Sequence, residues 1–165
     1  MKPHECRRLI GAWMLALVAI GAMGCSKQSG VLPSDAAQVR KIDEAVEQLR
    51  QSYIHKDPKA FHELLMPLDS LRRLELEIER DFAIYDRINV DFGIDRVLVE
   101  GSDAAVYFHW QGQWQRKTDD QPLRERGHAI LHLVGHKDMV LSSVEGDSPF
   151  GISGRRLPTD RASQP

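Results

Sequence analysis

The chain has 165 residues, 42% hydrophobic and 28% charged, a length that suits one domain. Twenty-two Lys and Arg against 24 Asp and Glu leave a net charge of −2, so no broad basic field is available to hold nucleic acid. Two cysteines exclude a disulfide scaffold.

Lys2, Arg7 and Arg8 form a positive start, and Leu9 to Met23 carries no charged side chain. That run is about 15 residues, short of the roughly 18–20 that cross a bilayer as a helix, and it fits the apolar part of a signal peptide. It ends in Ala22-Met23-Gly24-Cys25, which resembles the bacterial lipobox. The resemblance implies a lipoprotein signal peptide over residues 1–24, cleavage before Cys25, and acyl chains (palmitate and its kin) on that cysteine. The alternative is an uncleaved anchor in which Cys25 is a bystander. Cys6 leaves with the signal, so a lipidated Cys25 has no partner for a disulfide. Each buried methylene supplies about 0.8 kcal/mol, and several chains together hold the protein at the membrane. Residues 1–24 contain three basic and one acidic residue, so the remainder carries a net charge of −4. Lipid, not a basic patch, is therefore the expected anchor. The resemblance to lipoproteins of two-membrane bacteria, in which Asp after the cysteine retains the protein at the inner membrane, implies from Ser26 the outer membrane, facing the periplasm.

Residues 25–34 read as a lipidated tether; its polar stretch Ser26–Ser34 contains Gly30 and Pro33 and extends to about 30 Å. A helix follows, capped by Ser34 or Asp35, with Val39, Ile42, Val46, Leu49 and Tyr53 at three- and four-residue steps. Asp57-Pro58 supplies the cap and first residue of a short helix bearing Phe61, Leu64 and Leu65, which Pro67 stops. A third helix opens at Asp69 or Ser70 and runs toward Ile88 with the stripe Leu71, Leu74, Ile78, Phe82 and Tyr85. Glu75, Glu77 and Glu79 among Arg72, Arg73 and Arg80 read as a solvated helix face rather than an acidic or metal patch.

From Ile88 the period changes to two. Ile88, Val90, Phe92 and Ile94 alternate with polar residues, and Val97 and Val99 fall out of phase, which predicts a bulge near Asp95-Arg96. After a turn at Gly101-Ser102-Asp103, Ala104, Val106, Phe108, Trp110, Gly112 and Trp114 share one face of a long strand, with Tyr107, His109, Gln111 and Gln113 opposite. Thr118 to Pro122 is a loop. Strands over about Arg124–Gly135 and Met139–Glu145 form a second hairpin around His136-Lys137-Asp138. Residues 151–165, rich in Gly, Pro, Ser and Arg, are expected to be a disordered tail.

Helices followed by a meander indicate an α+β fold in which three N-terminal helices pack in a curved antiparallel sheet. The order of elements, with Tyr53-Ile54-His55-Lys56-Asp57-Pro58-Lys59-Ala60-Phe61, Val99-Glu100-Gly101-Ser102-Asp103-Ala104-Ala105-Val106 and Val140-Leu141-Ser142-Ser143-Val144-Glu145-Gly146-Asp147, resembles the nuclear transport factor 2-like (SnoaL-like) superfamily over residues 35–150. The resemblance implies a cone whose mouth lies between sheet and helices, and, from superfamily habit, a homodimer.

His128, His132 and His136 suggest metal ligands only on a helix. On a strand, four residues span about 13 Å, too far for one ion with bonds near 2 Å. Gly127, Gly135, Ile130 and Val134 favour the strand. The superfamily includes ketosteroid isomerases, limonene epoxide hydrolases and polyketide cyclases, whose chemistry needs a carboxylate and a proton donor inside the cone. Tyr53 sits at an apolar phase, the interior strand face bears no carboxylate, and Asp91, Asp95 and Glu145 fit no pattern. Asp119-Asp120 is turn chemistry. No phosphate loop, nucleophile elbow, catalytic residue, metal or cofactor site is assigned. Trp110 and Trp114 flanking Gly112 are either core or the wall of an apolar pocket with Tyr53, Phe92, Phe108 and a polar contact from His132 or Tyr107. The favoured function is a lipid-anchored periplasmic domain that binds a small apolar ligand or an envelope protein. The alternatives are an isomerase or hydrolase with an acid–base pair in the cone, and a ligand-free envelope scaffold.

Overall fold

The computed structural model describes residues 33–118 and 121–155; the expectations for the signal peptide at 1–24, the lipidated Cys25, the tether through residue 32, Asp119-Asp120 and 156–165 lie outside it. Helix α1 spans Pro33–Ile54, so Ser34 and Asp35 sit in its first turn rather than at its cap. Ile42, Ala45, Val46, Leu49 and Tyr53 form its buried stripe. Lys56 takes a positive φ of 57°, and Asp57 caps α2 (Pro58–Glu63) by accepting from the Ala60 N–H. A 3₁₀ turn at Asp69–Leu71 leads into α3, Arg72–Ile84. This helix stops short of Ile88 because Tyr85 turns extended, with ψ 130°. Its acidic face is only partly solvated. Glu75 meets His62, and Glu77, paired with Arg73 at 2.9 Å, lies against Gly151 and Gly154.

Strands β1 (Arg87–Glu100), β2 (Asp103–Gln115), β3 (Leu123–Val134) and β4 (Val140–Gly146) form one antiparallel sheet in chain order. Its register slips between Ile94 and Arg96, where the phase change at Val97 and Val99 predicts a bulge. The inner face presents Val90, Val106, Phe108, Trp110, Trp114, Leu131, Leu133 and Leu141, all buried, to the helices. One end of the helical layer is joined to the sheet through backbone. Met66 N–H donates to Leu141 O and Leu141 N–H to Leu64 O, each at 2.8 Å. That exchange covers the outer edge of β4.

The stretch after β4 departs from expectation. Gly151 to Arg155 belongs to the fold, with Ile152–Arg155 forming a short helix, α4, and Ile152 buried with Phe150. Gly146, at φ 81°, turns the chain off the sheet. Phe150 and Ile152 then find apolar neighbours, and that burial orders residues whose Gly- and Ser-rich composition reads as tail.

Candidate functional site

Two faces of the sheet compete for the role of site. On the inner face, Tyr53 comes from α1, Phe61 from α2, Phe82 from α3, Phe92 from β1, Phe108, Trp110 and Trp114 from β2, and Phe150 from the stretch after β4. Their rings touch edge-on or tilted. Tyr53 lies 5.1 Å from Phe150, 5.7 Å from Phe82 and 6.3 Å from Phe61, and Phe92 lies 4.9 Å from Phe108 and 6.0 Å from Phe150. Trp110 and Trp114 meet at 88° with centroids 6.0 Å apart. The Trp114 indole lies over Gly112, where a methyl group would come within 2.4 Å of the ring. Five of the six pocket candidates, Tyr53, Phe92, Phe108, Trp110 and Trp114, are thus brought together as mutually packed rings. His132 is not among them. It alternates with Leu131 and Leu133, so it faces outward, with Nε2 3.0 Å from Glu145 Oε1 but off hydrogen-bond alignment. Tyr107 is outward too, beneath the Arg96 guanidinium at 4.1 Å.

Within this aromatic interior lies a carboxylate that sequence reasoning missed. Asp81 of α3 is fully buried. Its Oδ2 accepts from Tyr53 O–H at 2.5 Å and from Ile152 N–H at 2.9 Å, and its Oδ1 accepts from Ser153 N–H at 2.8 Å. Trp114 Nε1–H in turn donates to the Tyr53 oxygen at 3.0 Å. Burial first, and the negative Asp81 second, push the Tyr53 phenol well above its ordinary value of 10. The signal for Asp81 was positional. Leu74, Ile78, Asp81 and Tyr85 follow steps of four, three and four, so Asp81 stands on the buried stripe of α3. A carboxylate there needs partners, and the N–H groups of Ile152 and Ser153 supply two of them.

The outer face carries the opposite chemistry. Strand register aligns Asn89, Gln113 and Arg124 in one row, Asp91, Gln111 and Arg126 in the next, and Gly93, His109 and His128 in a third. His109 lies over Gly93, donates through Nδ1–H to Asp95 Oδ1 at 2.7 Å, and stands 6.3 Å from the His128 ring. Two shallow grooves of about 560 and 530 Å³ run over these rows and share Asp91, Gln111 and Arg126. Asp95 is thereby placed on this face, as are Asp91 and Glu145.

No family model and no curated protein matches the chain in sequence. Its fold has counterparts among solved structures. A nuclear transport factor 2-like superfamily protein from Salmonella enterica serovar Typhimurium superposes with a TM-score of 0.60 at 13% identity, over 69% of this chain and 93% of that one. A nuclear transport factor 2-like protein of unknown function from Shewanella oneidensis gives 0.51 at 11% identity, over 67% and 99%. A type 2 hexachlorocyclohexane dehydrochlorinase gives 0.58 at 7% identity, over 71% and 88%. Helices seated on a curved four-stranded antiparallel sheet, shared with these proteins, give the described residues the nuclear transport factor 2-like fold.

Proposed function

We propose that this chain is a lipid-anchored envelope protein whose domain works by docking a protein partner on the outward face of its sheet. One contrast carries the proposal. The inner face is occupied by the chain's own rings, with Phe150 seated between Tyr53, Phe61 and Phe92, while the outer face offers Asn89, Gln111, Gln113, Arg124 and Arg126 in register around two grooves. Planar amides and guanidinium groups hydrogen-bond readily to a partner's backbone and carboxylates. The resemblance of Ala22-Met23-Gly24-Cys25 to a lipobox supports the location. Cys25→Ala should move the protein from the membrane to the soluble fraction, and persistent membrane association would reject the lipid-only anchor.

Docking is tested with a photo-crosslinking residue at Gln111 of the full chain in its host, and a control probe at Asp43 on the exposed side of α1. A discrete protein adduct at position 111 and none at 43 is expected. Equal labelling, or no protein adduct, would reject the outward face as the site.

A second function has its own observation. Asp81 and Tyr53 place a carboxylate against a phenol inside the cone, the kind of pair an isomerase or dehydratase requires. One solved structure of similar fold is named as a dehydrochlorinase. Catalysis would require Phe150, Ile152 and Ser153 to withdraw, since they occupy the space and the acceptor positions a substrate would need.

A further inference from the structure

The route of the chain at the end of β4 leaves an opening in the sheet. β3 has 12 residues and β4 only seven, and their pairing stops at Ala129 and Gly146. Gly146 takes φ 81°, Asp147 N–H makes one last bond to His128 O at 2.9 Å, and the chain then dives inward to bury Phe150. Beyond His128, β3 has no strand neighbour on that side among the described residues.

Antiparallel pairing directs the backbone groups of alternate residues to opposite sides of a strand. His128 O bonds Asp147, on the β4 side, and His132 O accepts from Ser142 there as well. Even-numbered residues of β3 therefore face that side, and Arg124 and Arg126 present N–H and C=O to the open edge. Their side chains point outward and are exposed, and no described residue pairs with either guanidinium.

An open edge with unmatched side chains of one sign selects its occupant. A second copy of the same edge, added antiparallel, would bring arginines together, which is unfavourable. β1 is the other long edge, but its outward residues include Asp91 and Asp95, and Arg50 donates to Val90 O at 3.0 Å. We propose that the β3 edge at Leu123–Gly127 takes an extended peptide segment of a partner as a fifth strand, with carboxylates at alternate positions paired to Arg124 and Arg126. The inference rests on the outward face being the docking face and names the chemistry of what docks. Main-chain bonds supply binding and the alternate side chains supply choice.

The test uses the full chain in lipid nanodiscs and a fluorescent seven-residue peptide alternating Glu with Thr and Val. Fluorescence anisotropy compares it with its Gln counterpart and with a Glu version whose edge-facing amides are N-methylated. Two added ion pairs should make the Glu peptide bind about tenfold tighter than the Gln peptide. N-methylation should abolish binding, and hydrogen exchange at Arg124 and Arg126 should slow with the parent peptide. The double variant Arg124→Glu/Arg126→Glu, which changes exposed side chains only, should prefer a Lys peptide instead. Equal affinity for Glu and Gln peptides, indifference to N-methylation, or no binding at millimolar peptide would each overturn the proposal. A protein adduct at position 111 together with a failed peptide would leave the docking face standing and remove only the edge.

Discussion

Replacing Asp81 with Ala tests whether the segment after β4 is held in place by one buried carboxylate. The substitution strands three donors, the Tyr53 hydroxyl and the N–H groups of Ile152 and Ser153. Each buried donor without an acceptor costs about 1–3 kcal/mol. The two amides sit near the chain's described end and recover part of that cost by meeting water as α4 loosens. The expected loss is therefore about 4 kcal/mol, a large share of the 5–15 kcal/mol typical of a domain. Asp81→Asn keeps the shape but turns an N–H₂ toward one donor, for about 2 kcal/mol. Tyr53→Phe strands Trp114 Nε1–H and removes one bond to Asp81, again about 2 kcal/mol. Because the groups share one network, the double variant should cost less than the two single changes added together. Urea unfolding of the full chain gives the energies, and hydrogen exchange of residues 150–155 reports the loosening. A loss under about 1 kcal/mol for Asp81→Ala, or unchanged exchange at Ile152 and Ser153, would refute the network.

The Tyr53 phenol, raised by burial and by Asp81, makes stability pH-dependent at the alkaline end. Its contribution is whole below the unfolded value near 10 and lost as pH climbs toward the folded-state value, so the urea midpoint should fall more steeply above about pH 10 than in Tyr53→Phe. Parallel curves would contradict this. Glu47 is held at about 2, below its ordinary 4.5, chiefly by the Arg50 guanidinium. Its stabilisation is present above 4.5 and lost as pH falls toward 2. The carboxylate is 54% exposed, so solvent screening limits the effect of Glu47→Gln to less than about 1 kcal/mol at neutral pH, shrinking to nothing in acid. Gly146→Ala should cost about 1–3 kcal/mol, because an L side chain strains at that φ and its methyl would meet His128 O at 2.8 Å; calorimetry showing no loss would contradict it.

Much of the scaffold was legible because each element announces itself locally. Asp57-Pro58 starts α2, the change of period at Ile88 marks the helix-to-strand switch, and the phase slip at Val97 and Val99 locates the bulge. What eluded the sequence depends on contacts between distant segments. Asp81 looks like one more acid on a charged helix until Ile152 and Ser153, 71 and 72 residues away, bring their amides to it. Ile152 looks like tail until Gly146 and Gly151 route it into the aromatic cluster. Periodicity placed the rings of Phe108, Trp110 and Trp114 on one face, but whether those rings line a space or fill it was decided by Phe150. His132 stands away from the pocket it was expected to line, because strand alternation between the inward Leu131 and Leu133 turns its ring to the outer face.

Native mass spectrometry of the full chain, released gently from its own membrane, separates docking from small-ligand binding. The expected species is the acylated chain bound to a protein subunit, with no small apolar molecule retained, since Phe150 and its neighbouring rings occupy the cone. A stoichiometric small apolar molecule on the chain, with no protein subunit at any gentle condition, would contradict docking on the outward face.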